Sequence, residues 1–182
     1  MAKTPKYQKF VELFKHKVDP WGFSESIYER GRLAKILEIA RSVPHKSVLE
    51  IGCAEGHFTQ KLLTISDSVT AIDVSKEAIL RAKKRAPGAK YIVTSIDDLD
   101  LKSPKFDLAV ASEVLYYIRD KKPIFKKISK SCRYLLMTNV GIWDYLLAIH
   151  LRGATLIKRT HYSRFSEGLR YFCAVSLWKL QA

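Results

Sequence analysis

The sequence predicts an α/β fold: a Rossmann-like, doubly wound, mainly parallel sheet that ends in a C-terminal antiparallel hairpin. Between residues 47 and 140, strand-like runs alternate with helix-like runs, which is the pattern of parallel strands joined by helices. The run FDLAVAS at 106–112 is almost wholly apolar, as in a strand covered on both faces. Two β-rich runs, 154–165 and 169–180, flank a turn at 166–168, and this spacing predicts the hairpin.

The elements of the core follow in a regular order. Strands are predicted over residues 47–51, 69–73, 90–94, 106–112 and 133–140, and helices over 57–65, 75–86, 121–132 and 142–151. Pro87 and Gly88 end the second of these helices, whereas Pro123 is tolerated because it lies in the first turn of the third.

Residues 1–45 are expected to form a helical extension or lid before a core at 46–182, within a single domain. Ser26 and Glu29 form an S-x-x-E capping box, so a helix should begin there and run to about Arg41. Residues at helical spacing predict its packing face, namely Ile27, Gly31, Ala34, Leu37 and Ala40. Polar and aromatic residues lie in and just before this helix, namely Trp21, Phe23, Tyr28 and Arg32. They can fold over a ligand as a lid, or they can belong to the core.

Composition excludes several classes of protein. With 182 residues, 47% of them hydrophobic, the chain can bury the core of one domain. It lacks an apolar run of the roughly 18–20 residues that span a bilayer, and no apolar segment follows its basic start, so we expect neither a membrane protein nor a signal peptide. Cys53, Cys132 and Cys173 form no CxxC pair, which favours a cytoplasmic location and no metal site.

The first strand leads into a turn that suits a ligand, in the sequence VLEIGCAEGHFT at 48–59. Small residues at Gly52, Ala54 and Gly56 let the backbone approach a bound molecule, and the following helix begins with free N–H groups and a positive dipole end. The second strand ends in Asp73, whose carboxylate can accept two hydrogen bonds from a ribose diol. Asp73 can also cap the helix that starts at Ser75, and the two roles are compatible.

An acid within the first strand decides between two ligands. The spacing G-x-A-x-G differs from the dinucleotide fingerprint G-x-G-x-x-G. Glu50 would repel a pyrophosphate so close to it, but it would attract a cation or an amine. This combination resembles motif I of the class I S-adenosylmethionine (SAM) methyltransferases, whose cofactor carries an amino group and a sulfonium and no phosphate.

The resemblance extends over roughly residues 20–140, through LEIGCAEGHFT, AIDVS and FDLAVASEVLYYI. With DPWGFSESIYERGRL before them, these pieces look most like the nodulation N-methyltransferase branch and its small-molecule relatives. The resemblance implies the class I methyltransferase fold, SAM as cofactor and S-adenosylhomocysteine (SAH) as product. It assigns cofactor contacts to Glu50, Gly52, Cys53, Ala54, Gly56, Phe58, Asp73, Val74, Ser95, Ile96, Asp97, Ser112 and Tyr28.

Some of these positions have a second interpretation. Ala54 replaces the family's middle glycine, and Ser95 and Ile96 stand where the family commonly has an acid that contacts adenine. Either Ser95 or Asp97 can hold the adenine amine, or the Ile96 backbone can bond the ring. Cys53 is interpreted as a packing residue.

The stretch after the fourth strand, SEVLYY, is where this fold places the transferred methyl group. Glu113 and Tyr116 are the candidate catalytic residues, with Glu113 orienting or deprotonating the nucleophile. For an alcohol acceptor, His161 is a candidate base. No [N/D]-P-P-[Y/F] sequence occurs, which argues against methylation of the adenine amine type.

Charge leaves the acceptor open. The net charge is +14, and residues 114–182 alone carry +10. A small, anionic or sugar-like acceptor, an RNA stacked on aromatic side chains, and a non-catalytic SAM-binding subunit are all compatible with this distribution. A lysine-rich solubility coat would explain it equally well, and the oligomeric state is not predicted.

Overall fold

The computed structural model describes residues 7–101, 106–166 and 169–181. Six helices, α1 to α6, and seven strands, β1 to β7, make up this part of the chain. The helices are α1 (Gln8–His16), α2 (Ile27–Ala40), α3 (His57–Leu62), α4 (Lys76–Arg85), α5 (Lys121–Ser131) and α6 (Trp143–Ala148). The strands are β1 (Ser47–Ile51), β2 (Ser68–Asp73), β3 (Lys90–Val93), β4 (Phe106–Ser112), β5 (Cys132–Val140), β6 (Thr155–Ser166) and β7 (Leu169–Lys179).

The seven strands form one sheet in the order β3-β2-β1-β4-β5-β7-β6. The first five strands pair in parallel, so their carboxyl ends share one edge. β7 is antiparallel to both β5 and β6, which confirms the predicted hairpin and leaves β6 at the edge of the sheet. The centre of the hairpin turn, residues 167–168, lies outside the described residues.

One apolar layer covers each face of the sheet. Successive side chains of β1 point alternately into the two layers. Leu49 and Ile51 pack against α5 and α6 through residues such as Phe125. Val48 faces the other layer, where Ile36 of α2 and Leu62 of α3 are fully buried. Glu50 has the same parity as Val48, so this acid points into the layer under α2 and α3 and not into solvent.

Helix α2 begins where predicted but turns a different face to the sheet. Ser26 Oγ accepts the Glu29 N–H at 3.2 Å, which confirms the cap. Ile27 and Ala34 are exposed, contrary to the predicted face. The buried stripe is instead Arg32, Leu33, Ile36, Ile39 and Ala40. Sequence spacing missed this rotation because α2 carries apolar residues on two faces, and the spacing of Ile27, Ala34 and Leu37 was taken as the inward one.

The lead-in before α2 holds a helix that sequence analysis did not separate. α1 contributes the buried Phe14, and the chain then turns at Asp19, a residue with φ 45° whose carboxylate accepts the N–H groups of Phe23 and Ser24. The first six residues of the predicted extension lie outside the described residues. Among the helices that are described, none is long and apolar enough to cross a bilayer.

Candidate active site

A cleft of about 330 Å³ opens at the carboxyl ends of β1, β2 and β4. A volume of this size is at the lower end of the range for small-molecule sites. The structure brings these predicted residues together in its lining: Gly52, Ala54, Asp73, Val74, Ser95, Ile96, Ser112, Glu113, Tyr116, Trp21, Phe23 and Arg32.

The loop after β1 is held in a conformation that exposes its backbone to the cleft. Gly52, Ala54 and Gly56 have φ values of 74°, 48° and 80°, all in the left-handed region that small residues adopt most easily. The N–H groups of Gly52 and Cys53 both donate to the carbonyl of Ile72, so β2 fixes the start of the loop. Gly56 then caps α3, and the Cys53 side chain is buried, as expected of a packing residue.

Asp73 is positioned by backbone donors on both sides. Its Oδ2 accepts the Ala54 N–H and its Oδ1 the Ser75 N–H, each at 2.9 Å. Ser75, and not Asp73, supplies the cap of α4, since Ser75 Oγ accepts the Ala78 N–H. Burial raises the pKa of Asp73, while the N–H donors oppose that shift. The carboxylate is thus oriented at the cleft by the loop that it stabilises.

Glu50 lies behind the same loop and does not line the cleft directly. Its Oε2 accepts the Thr59 hydroxyl at 2.5 Å. Burial raises the pKa of Glu50 to about 8, against the lowering effect of that hydrogen bond and with a smaller contribution from the charge of Asp73. A cation brought near this carboxyl would therefore meet a group that is ready to release a proton.

The third strand ends in a short acidic turn beside the cleft. Ser95 Oγ donates to Asp98 Oδ2 at 2.8 Å and accepts the Asp98 N–H at 3.2 Å. Asp97 Oδ2 accepts the hydroxyl of Tyr7 at 2.6 Å, so this predicted contact residue also ties down the N-terminal segment. Lys127 Nζ donates to the carbonyls of Ile96 and Asp97, which holds the turn in place.

Glu113 lies at the opposite end of the cleft in an unusual backbone conformation. Its φ of 56° is rare for a residue with a long side chain, and such strain is typical of functional sites. Glu113 Oε2 accepts the Tyr116 hydroxyl and the Val140 N–H, both at 3.1 Å. Its Oε1 is buried and has no hydrogen-bond partner within the described part of the chain. A ligand group that reaches this oxygen would supply the hydrogen bond that it lacks.

A buried arginine joins α2 to the strand ends beside Glu113. Arg32 Nε and Nη2 donate to Glu29 Oε2 at 2.9 and 2.5 Å, and Nη1 donates to Ser112 Oγ at 2.6 Å. Burial would lower the pKa of Arg32, but Glu29 outweighs burial and raises that pKa. Burial raises the pKa of Glu113, and the charge of Arg32 is the largest effect opposing it.

Aromatic side chains from the N-terminal segment line the cleft, among them Trp21 and Phe23, for which a lid remains a prediction. Sequence analysis missed three further members, Tyr7, Phe10 and Phe14. Their spacing of three and four residues was a detectable signal for one face of a helix. Phe10 also packs edge-on against Tyr117 at 4.8 Å between ring centroids.

The N-terminal segment is fastened through Glu55 to the loop that follows β1. Glu55 Oε1 accepts the Asp19 N–H at 3.0 Å and Arg81 Nη1 at 2.7 Å. The His57 ring lies against Phe23, and burial lowers the pKa of His57. Ligand atoms of Asp19, Glu55 and His57 lie within 4.8 Å of one another, a geometry that could hold a cation, but Arg81 already neutralises Glu55.

Several predicted residues lie outside the cleft lining. Phe58 is buried in the layer beneath α2. Tyr28 points away and packs between Tyr162 and Tyr171, with ring centroids 5.4 and 5.2 Å away, because the rotation of α2 turns it toward the hairpin. His161 is exposed and stacks on Phe172 at 5.1 Å, so it does not face Glu113.

Comparison with known proteins finds relatives of this chain. A family model described as Nodulation protein S (NodS) matches residues 8–139. Nodulation protein S of Azorhizobium caulinodans is 38% identical over 109 residues, which cover 57% of this chain and 51% of that protein. A ubiquinone biosynthesis O-methyltransferase of Nitrosomonas europaea is 25% identical over 156 residues, covering 82% of this chain and 64% of that protein. The chain thus spans about half the length of the nodulation proteins that it matches.

Solved structures match over almost the whole chain. The N-methyltransferase NodS of Bradyrhizobium japonicum WM9, in complex with SAH, superposes with a TM-score of 0.84 at 25% identity, covering 98% of this chain and 100% of that one. Magnesium protoporphyrin IX methyltransferase of Synechocystis PCC 6803 with bound SAM gives a TM-score of 0.72 at 12% identity, covers all of both chains, and shows the fold alone.

Proposed function

The chain belongs to the Nodulation protein S (NodS) family, and from that premise we propose that it is a SAM-dependent methyltransferase that acts on an amine or hydroxyl of a small molecule. The segment before residue 46 serves as the lid of its single domain. One observation carries the proposal: the cleft has a carboxylate held by backbone donors at one strand end, Asp73, and a buried unpartnered carboxylate oxygen at another, Glu113.

The residues of the cleft fit SAM from one end to the other. Ser95 and Ile96 suit the adenine, and Asp73 suits the ribose diol. Gly52 and Ala54 leave room for the methionine part beside the loop. Glu50 lies behind this loop, where burial raises its pKa to about 8, and it suits the amino group because a nearby cation favours loss of its proton.

When bound, SAM supplies a methyl group on a sulfonium that is already activated for in-line displacement. The protein then has to align the acceptor, exclude water and receive a proton. The aromatic lid, including Trp21 and Phe23, excludes water from the cleft. Glu113 Oε1 holds the acceptor N–H or O–H and takes its proton, while Tyr116 and the Val140 N–H keep the other oxygen in place.

An amine is the acceptor that this arrangement favours. A carboxylate whose pKa is raised by burial matches the proton of an amine better than that of an alcohol. His161, the candidate base for an alcohol, stacks on Phe172 outside the cleft. The SAH-bound relative from Bradyrhizobium japonicum is an N-methyltransferase, which supports the same choice.

Calorimetric titration tests the cofactor first. SAM and SAH should bind the wild type, NAD should not, and Asp73→Ala should weaken SAH binding by at least about tenfold through loss of a charge-assisted hydrogen bond. Asp107→Ala is the control, because Asp107 also accepts backbone N–H groups, from Lys46 and Ser47, but at the far ends of the strands. NAD binding without SAM binding would overturn the proposal.

A labelled-methyl assay then tests the acceptor. A panel of amines and hydroxyl compounds is incubated with methyl-labelled SAM and either the wild type or Glu113→Gln. Methyl transfer to amines that Glu113→Gln slows without weakening SAH binding supports the assignment. Transfer only to hydroxyl compounds would reject the amine, and equal rates for the two proteins would reject Glu113 as the proton acceptor.

A further inference from the structure

Helix α6 presents an apolar face to solvent. Ile142 and Ile149, the residues at its two caps, are 68% and 62% exposed. The exposed set as a whole follows helical spacing: Ile142, Trp143, Tyr145, Leu146 and Ile149. The opposite side of the helix is fixed in the protein, since Asp144 and Leu147 are fully buried. This is a well-anchored helix with an uncovered apolar stripe.

Basic side chains border this stripe. Lys121 Nζ lies 5.5 Å from the centroid of the Trp143 ring, and Lys121 and Lys122 both act on the pKa of His150, next to Ile149. Burial comes first in lowering that pKa, and the two lysine charges add to it. Arg152 is exposed in the turn after the helix.

Negative charge is scarce at the same border. Asp144 is buried and paired with Arg159 at 2.8 Å, which leaves Asp120 as the exposed acid next to the two lysines. An apolar stripe with a basic border has the character of a helix that lies in the headgroup region of an anionic bilayer. A protein partner that covers the stripe with its own apolar residues does not explain the basic border. A free phosphate does not explain the apolar stripe.

The stripe is continuous with the mouth of the cleft. Trp143 stacks on Tyr116 with ring centroids 5.9 Å apart, and Val140, three residues earlier, is exposed and lines the cleft. A molecule resting on α6 would therefore lie beside the site entrance.

We propose that the α6 face, defined as residues 142–149 with Lys121, Lys122 and Arg152, binds the surface of a bilayer that contains anionic lipids. Ile142, Leu146 and Ile149 enter the acyl boundary, and the basic groups remain with the headgroups. This binding needs no spanning helix. It does not rest on the proposed activity, because it involves neither SAM nor an acceptor.

Two other occupants fit less well. A nucleic acid would match the basic groups and the aromatic rings, but the aliphatic side chains that occupy both ends of the stripe offer no base stacking. A second copy of the chain would bring the same basic residues face to face across a symmetric interface, where like charges repel.

Co-sedimentation with vesicles tests the proposal on the full chain. The wild type should bind vesicles of phosphatidylcholine and phosphatidylglycerol at least about tenfold more strongly than vesicles of phosphatidylcholine alone, and added salt should weaken binding. Lys121→Gln with Lys122→Gln should lower the partition coefficient about fivefold for each lysine. Ile142→Ser with Ile149→Ser should lower it at least about tenfold.

The matched control is Leu80→Ser, which removes an apolar side chain that is 50% exposed on α4, and it should bind as the wild type does. Thermal unfolding of each variant checks that the fold is retained. The proposal fails if the wild type ignores anionic vesicles, or if the isoleucine pair binds them normally. It also fails if those isoleucines instead hold a dimer together in sedimentation velocity, or if only RNA binds the basic groups. None of these outcomes affects the result of the SAH titration, so the membrane proposal and the methyltransferase proposal can fail separately.

Discussion

Two buried carboxyl groups of the site, Glu50 and Glu113, differ in the groups that accompany them. Within the described part of the chain, the Thr59 hydroxyl is the one donor to Glu50 and no ion pair with Glu50 is found, so burial dominates its pKa. For Glu113, the charge of Arg32 and hydrogen bonds from Thr138 and Tyr116 oppose the rise in pKa that burial causes. The surroundings of Glu50 favour its neutral form until a cation binds nearby. The surroundings of Glu113 contain groups that favour its ionised form.

Removing the Tyr116 hydroxyl should change the pH dependence of catalysis. Burial holds the pKa of Glu113 above its ordinary value, and the hydrogen bond from Tyr116 is one of the effects that lower it. Since a base must be ionised, kcat should rise with pH, and in Tyr116→Phe this rise should move to higher pH because an effect that lowers the pKa of Glu113 is lost. Steady-state rates across the pH range measure the shift.

The reference variants separate this effect from loss of packing. Glu113→Gln should lower kcat by roughly 10²–10⁴-fold and abolish the rise. Tyr91→Phe should leave the profile unchanged, because the Tyr91 hydroxyl bonds the carbonyls of Ala82 and Ala86, away from the cleft. A profile in Tyr116→Phe identical to that of the wild type would contradict the role given to this hydroxyl.

Glu50→Gln should stabilise the ligand-free protein increasingly as the pH rises. Burial raises the pKa of Glu50 to about 8 in the folded state, against 4.5 for an exposed glutamate, so the folded state keeps a proton that the unfolded state loses. The wild-type free energy of unfolding therefore falls between these two values, by about 1 kcal/mol for each pH unit. Urea unfolding of both proteins at pH 5 and pH 7.5 measures the difference.

The exposed acid Glu38 on α2 provides the control for this measurement. Hydrogen bonding to Lys35 lowers the pKa of Glu38, so Glu38→Gln should not reproduce the trend. If the gap between wild type and Glu50→Gln stayed constant with pH, the buried carboxyl would be ionised throughout, and its assignment as a proton-releasing partner of the cofactor amine would be wrong.

At the scale of elements, α2 joins the lid, the site and the hairpin. It carries Arg32 toward the strand ends and Tyr28 toward the hairpin, and at Gly31 it lies against the side chain of Tyr162 from β6. A Cβ added to Gly31 would lie 1.8 Å from Tyr162 Oη and 2.7 Å from its ring carbon Cζ.

Gly31→Ala should consequently destabilise the protein by about 1–2 kcal/mol, because the tyrosine ring must move. In a Tyr162→Leu background the same substitution should become stabilising by up to about 1 kcal/mol, since only the higher helix propensity of alanine remains. Chemical unfolding of the four proteins in this cycle measures the coupling. Additive effects would mean that the helix and the strand do not meet as closely as described.

The elements also show what sequence can predict. Strand β1 was predicted at its observed bounds because the glycine turn that follows it fixes where the five-residue strand ends. Helix α3 ends at Leu62, three residues earlier than predicted, since Leu63 to Ile65 continue the apolar pattern in a turn. A pattern records which residues are apolar but not where the backbone hydrogen bonds stop.

The candidate site was predictable where it lies close in sequence to a strand end. The glycine turn, Asp73 and Glu113 all follow parallel strands, whose shared edge brings them together. The contacts of Tyr7 with Asp97 and of Arg32 with Ser112 join residues 90 and 80 positions apart. A local sequence pattern cannot reveal such pairs, so these contacts beside the cleft could be identified only from the tertiary structure.

For the whole molecule, the two ends of the cleft are supplied by different parts of the chain, so a ligand that contacts both should stabilise the global fold. SAH at about 100 times its dissociation constant should add about 2.7 kcal/mol to the free energy of unfolding. For a chain of this size that corresponds to roughly 5–10 °C in the melting temperature. Differential scanning fluorimetry measures the shift in melting temperature. NAD is the negative control for the ligand, and Asp73→Ala at the same SAH concentration is the negative control for the site. A shift retained in Asp73→Ala would show that the ligand binds elsewhere.

The position of β7 inside the sheet has a consequence for synthesis on the ribosome. β6 leaves the exit tunnel before β7, yet β7 is the strand that pairs with β5, and β6 pairs only with β7. For as long as β7 is still being translated, β6 has no strand to bind, although it carries apolar side chains such as Leu156 and Ile157. The sheet thus cannot be completed until β7 emerges, and during that interval the unpaired β6 is open to chaperones or to aggregation.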